Sequence, residues 1–166
     1  MKTQLLVLGV AVTLLALIPV GGWSQQVVLK ANDIYYGKWI NEGANVAQRT
    51  QKQVNFPGGY KNFLAISDIK PFEESTVQIA EKWIDSEGNA WYKIRATVTV
   101  GVDPLPPYKG YDYSGWKFQN LQRISKSGTV LETMWVHVPE FDPNLYPTKI
   151  DPTDTEHYVI FYRAKE

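Results

Sequence analysis

From residue 90 to residue 100 the chain alternates. Tyr92, Ile94, Ala96, Val98 and Val100 fall on one side of an extended backbone, and Lys93, Arg95, Thr97 and Thr99 fall on the other. A repeat of two belongs to a strand with one face in a core and one in water, because a helix would need apolar residues three and four apart. Residues 76–85 form the partner strand. Ser86-Glu87-Gly88-Asn89 joins the two, with Gly88 supplying the positive φ that a short hairpin loop needs. A long amphipathic hairpin must cover its apolar face, so the pattern predicts more sheet around it.

The remaining segments extend this reading. Residues 34–41 predict a first strand, interrupted at Gly37 as by a bulge or a close backbone approach. Residues 49–56 alternate weakly and read as a polar strand. Pro57-Gly58-Gly59 reads as a break, residues 61–67 as a strand and residues 68–74 as a connection. Three prolines keep 103–108 out of any strand interior. A second hairpin is expected from residues 113–125 and 129–138, joined through Lys126-Ser127-Gly128. Residues 139–154 form a long proline-bearing excursion, and residues 156–163 a last strand with apolar side chains on both faces. The expectation is an all-β chain with about eight antiparallel strands, no helix and no internal repeat. Such a chain closes into an up-and-down barrel or stacks as a sandwich. Strands this long favour the barrel, since closure removes exposed edges.

The N-terminus changes the domain count. Met1-Lys2-Thr3-Gln4 is followed by an uncharged apolar run over residues 5–20, then by Gly22 and Ser24. One basic residue, a short apolar core and a small-residue exit predict a secretory signal peptide over residues 1–24. The run is shorter than the roughly 20 residues a membrane-spanning helix needs, and Pro19 breaks it. A retained N-terminal anchor is the alternative. Residues 25–166 then form a single β-barrel domain with no stable membrane insertion after cleavage.

Charge and composition narrow the partners. Lys and Arg number 17 against 17 Asp and Glu, and loss of Lys2 leaves a formal charge of −1. A near-neutral chain gives no electrostatic reason to expect nucleic acid. Without cysteine there is neither disulfide nor thiolate zinc site, and no Asn-x-Ser/Thr sequon occurs. Both suit a bacterial exported protein, periplasmic or extracellular.

Two short segments carry a resemblance. Asn32-Asp33-Ile34-Tyr35-Tyr36-Gly37-Lys38-Trp39 resembles the Gly-x-Trp opening signature of lipocalins, and Thr153-Asp154-Thr155-Glu156-His157-Tyr158 is similar to that family's Thr-Asp-Tyr-x-x-Tyr element, with Thr155 where tyrosine is usual. The second segment lies at the end of the chain, without room for the strands and helix that usually follow. The resemblance implies a shortened lipocalin-like barrel in which Trp39 plugs the closed end and a late basic residue, Arg163 or Arg123, packs across it.

In such a barrel the interior is the default ligand site. Aromatics make up 13% of the chain. Inward candidates are Tyr92, Ile94, Ala96 and Val98 on one strand, and Trp116 and Phe118 on another. Tyr108, Tyr111, Tyr113 and Trp116 would lie near a rim and could gate it, or could simply pack in a surface loop. Catalysis has little to stand on. His137 with Glu140 and Asp142, and Asp151, Asp154 and Glu156 with His157, lack metal-ligand spacing, and no Gly-x-Ser-x-Gly elbow or phosphate loop appears. No cofactor is implied. The leading expectation is a non-enzymatic exported protein that holds a small apolar molecule. Two alternatives remain open: a carbohydrate- or peptide-binding module using exposed, coplanar aromatics, and a structural subunit that docks through residues 139–154 to an unidentified protein.

Overall fold

A computed structural model describes residues 37–41, 51–60, 62–67 and 70–165. The expected signal peptide, and residues 34–36 of the first expected strand, lie outside the described residues. Eight strands follow in order: β1 (Gly37–Ile40), β2 (Gln53–Tyr60), β3 (Asn62–Ser67), β4 (Lys70–Ile84), β5 (Ala90–Gly101), β6 (Lys117–Ile124), β7 (Val130–Val138) and β8 (Tyr158–Arg163). Each pairs antiparallel with its chain neighbours. Pairing of β8 with β1, Trp39 opposite Arg163 and Ile40 opposite Tyr162, closes an up-and-down barrel. No helix occurs among the described residues.

The two ends of the barrel differ. One carries tight hairpin turns between β4 and β5 and between β6 and β7, and the other carries the long connections 102–116 and 139–157. At the tight end Asp85 organises the first turn. Its carboxylate accepts from the backbone N–H of Glu87 (3.0 Å) and Asn89 (2.9 Å) and from the Trp91 indole (2.7 Å). Trp39, Ala90, Tyr92 and Ile124 are buried at this end and close it as a packed floor. Arg163 lies over the Trp39 ring, its Cζ 4.8 Å from the centroid.

Several segments depart from the sequence pattern. Pro57-Gly58-Gly59 does not break the sheet, because β2 runs through it to Tyr60. Proline's fixed φ fits extended backbone, and its cost is one ladder donor. Residues 70–74 are strand and not connection, so β4 begins with Lys70 opposite Ser67. Val100 does not face inward but is 52% exposed. The register steps from Glu74 opposite Val100 to Ser75 opposite Val98, so Thr99 is an extra residue, the alternation changes phase and Gly101 is buried in Val100's place. Residues 113–116, expected as the start of a strand, form a turn ahead of β6. Trp116 N–H donates to the Tyr113 carbonyl (3.1 Å), and Gly115 adopts φ of 88°, a conformation that side chains with a Cβ rarely take. Trp116 therefore belongs to a connection.

The excursion over residues 139–157 straps the outside of the barrel. Gln119, fully buried, donates to the Asp142 carbonyl (2.7 Å) and accepts from the Asp142 N–H (2.7 Å). Tyr146 is buried beside it and accepts from Arg95 Nε (3.2 Å). Arg95 and Lys117 also lie over the Phe141 ring.

Candidate binding cavity

Alternation sends every second side chain of the wall inward, and these side chains do not fill the interior. A cavity of about 960 Å³ opens between them, near the top of the range usual for small-molecule sites. Its apolar wall comes from seven of the eight strands: Val54 and Phe56 on β2, Phe63 on β3, Phe72 and Val77 on β4, Ile94 and Ala96 on β5, Phe118 on β6, Leu131 and Trp135 on β7, and Val159 and Phe161 on β8. Phe56 packs on Phe63 and Phe118 on Trp135, with centroids 5.6 Å apart in each pair.

Of the residues singled out in the sequence, Ile94, Ala96, Tyr108, Tyr111, Tyr113, Trp116 and Phe118 line this cavity. Tyr92 and Val98 do not line it. Tyr92 belongs to the packed floor, where burial pushes its phenol up to about 12. Val98 is buried beside Gly101, near the ring of Tyr113. Trp39 and Arg163 lie at the β1–β8 seam, and Gly37 begins β1 opposite Phe56 of β2.

The mouth is built from connection 102–116, folded on itself by backbone bonds. Asp103 N–H donates to the Tyr111 carbonyl (2.9 Å), Gly110 N–H to the Asp103 carbonyl (2.8 Å) and Tyr113 N–H to the Gly101 carbonyl (3.0 Å). Tyr108, Tyr111 and Trp116 are exposed, and Tyr113 is partly buried. The Tyr111 and Tyr113 rings stand at 73° and 64° to Trp116, with centroids 6.2 and 6.0 Å away. His137 stacks on Trp116 at 4.2 Å. Rings this steeply inclined make walls, not the coplanar platform on which a sugar or a flat peptide would lie.

Polar groups punctuate the wall. Glu73 accepts from the Ser75 hydroxyl (3.0 Å) and the Tyr113 hydroxyl (3.1 Å). Loss of water pushes its carboxyl above the ordinary carboxylate range, and burial beside that carboxyl raises Tyr113 as well. Deeper in, Asn120, Gln122 and Thr133 face the cavity. Among the described residues, Asn120 Oδ1 and Thr133 Oγ1 are buried without a hydrogen-bond partner.

The sequence pattern missed these polar groups. Glu73 fell in a stretch read as a connection. Asn120 and Gln122 keep step with Phe118, and that two-residue spacing was the available signal. It is masked because Leu121 is also buried, on the outer surface.

A smaller hollow of about 540 Å³ lies outside the barrel, between the strap and strands β4 and β5, beside Trp83 and Trp91. Those rings stack at 5.8 Å and 7°. Arg123 covers Trp91, with its Cζ 5.5 Å from the ring centroid, and also bonds Glu132. Glu132 in turn accepts from the Tyr158 hydroxyl (3.0 Å). His157, near the strap's end, is paired with Asp154 at 3.1 Å. No group of three or more His, Asp and Glu side chains converges as a metal site among the described residues.

Neither a protein family, nor a curated protein, nor a solved structure matches this chain.

Proposed function

We propose that this protein is a lipocalin-like, non-enzymatic carrier, exported to the periplasm or the extracellular space, that holds one small apolar molecule inside its barrel. The observation that carries the reading is the 960 Å³ hollow walled mainly by aromatic and aliphatic side chains from seven strands. Burying apolar ligand surface there releases about 25 cal/mol per Å², and the walls are already in place. The Trp39–Arg163 stack at the barrel seam supports the likeness to lipocalins, and the apolar run over residues 5–20 supports export.

Steeply inclined rings at the mouth weigh against a flat carbohydrate or peptide platform. Docking of residues 139–154 on the protein's own β5 and β6 weighs against their use as an arm for another protein.

Titration with Nile red, a neutral dye that brightens and shifts blue in apolar surroundings, tests the proposal. The expected result is one saturable site per chain that is lost in Ala96→Trp, where an indole fills the hollow beside Phe118 and Val77. Absence of uptake, or equal uptake by the variant, would contradict it.

A further inference from the structure

The charge on the cavity wall is one-sided. Glu73, Asp103 and Glu156 line it, and no lysine, arginine or histidine does so among the described residues. Glu73 is the most telling of the three. Its partners are the hydroxyls of Ser75 and Tyr113, two neutral donors that hold a carboxyl without neutralising it. A carboxyl partly withdrawn from water favours either keeping its proton or receiving a cation.

The same tyrosine joins that carboxyl to the aromatic mouth. Tyr113 donates to Glu73 and presents its ring at 64° to Trp116, with Tyr111 at 73° beyond. Electron-rich ring faces beside a carboxyl form a favourable setting for an organic ammonium group. Among the described lining residues an anionic head would instead meet three acids and no lysine or arginine.

A second feature points independently to a ligand that is not pure hydrocarbon. Thr133 is 7% exposed and lines the cavity, and its Oγ1 has no partner; Asn120 Oδ1 nearby is likewise unmet. Unpaired buried polar atoms are costly, so the cavity is suited to an occupant there, either a donor on the bound molecule's body or a water that it traps.

The geometry points to an amphiphilic amine as the ligand class, with its ammonium between Glu73 and the rings of Tyr111 and Tyr113 and its apolar body in the barrel. This assignment rests on the binding reading above and makes that reading more specific.

Competition against Nile red with three molecules of equal chain length, dodecylamine, dodecanol and dodecanoic acid, tests it below their aggregation concentrations. In the wild type the amine should bind on the order of tenfold more tightly than the alcohol, as a charge-assisted contact allows, and the acid should bind most weakly. Glu73→Gln keeps the shape and the hydroxyl contacts, and it should bring the amine level with the alcohol. An acid that binds as well as the amine, an amine advantage that survives Glu73→Gln, or displacement by none of the three would overturn the assignment. The wild-type ranking decides it even where the variant does not fold. A wild type that takes up no Nile red would instead overturn the binding reading itself.

Discussion

Arg163 lies across the indole of Trp39, with its Cζ 4.8 Å from the ring centroid, and the same two residues pair backbone to backbone where β8 meets β1. One contact thus joins the first and last strands and covers a tryptophan with no exposed surface. A guanidinium over a desolvated ring contributes about 0.5–2 kcal/mol. Arg163→Met should cost that much, measured as a lower urea midpoint at unchanged slope, and should leave Nile red uptake intact.

Gly101 sits where the Tyr113 ring comes closest to β5. A Cβ there would stand 2.6 Å from Tyr113 Cε2 and 2.7 Å from Val98 Cγ1. Overpacking of this kind costs about 1–3 kcal/mol, and the ring is the element free to move. Gly101→Ala should therefore weaken dodecylamine binding more than Nile red binding, because displacement of Tyr113 uncouples the mouth from Glu73. Equal loss for both ligands would contradict that placement.

Asp85 carries the clearest pH signature. The Trp91 indole, together with donors from Asn89 and Glu87, holds its carboxyl down at about 2, against an unfolded value of about 4. A depressed carboxylate adds stability above its unfolded pKa and loses it as pH falls through the folded one. Wild type should therefore exceed Asp85→Ala in urea midpoint near neutral pH, and the gap should narrow from about pH 4 towards about pH 2. A gap independent of pH would show that the turn does not depend on the charge.

Gln119 fastens the strap by two 2.7 Å bonds to the backbone of Asp142. Removing one partner of a buried hydrogen bond costs about 1–3 kcal/mol. In Gln119→Ala the freed Asp142 groups should let residues 139–154 lift away. Limited proteolysis should then cut within that segment faster than in the wild type, while the barrel core stays intact.

Much of the barrel was legible from the two-residue period. The turns of the β4–β5 and β6–β7 hairpins stand where alternation and turn glycines put them, since both signals are local. Legibility failed where a distant element covered the outer face. Gln119 and Leu121 are buried by the strap and not by the interior, so β6 shows no clean alternation to reveal Asn120 and Gln122 as inward. It failed again at Val100, because a bulge depends on the partner strand's register and not on the residue itself. Glu73 was missed for a related reason: Pro71 suggested a connection, yet the strand begins before it. The aromatic mouth was legible as a cluster, but the inclination of its rings was not.

A crystal structure of the protein with bromododecylamine, brominated at the chain end remote from the amine, would locate the bound molecule outright. An anomalous bromine peak is expected inside the barrel, flanked by Ile94, Leu131 or Phe161, with the amine at Glu73. A bromine peak only on the outer face beside Trp83 and Trp91, or an interior that stays empty, would contradict interior binding.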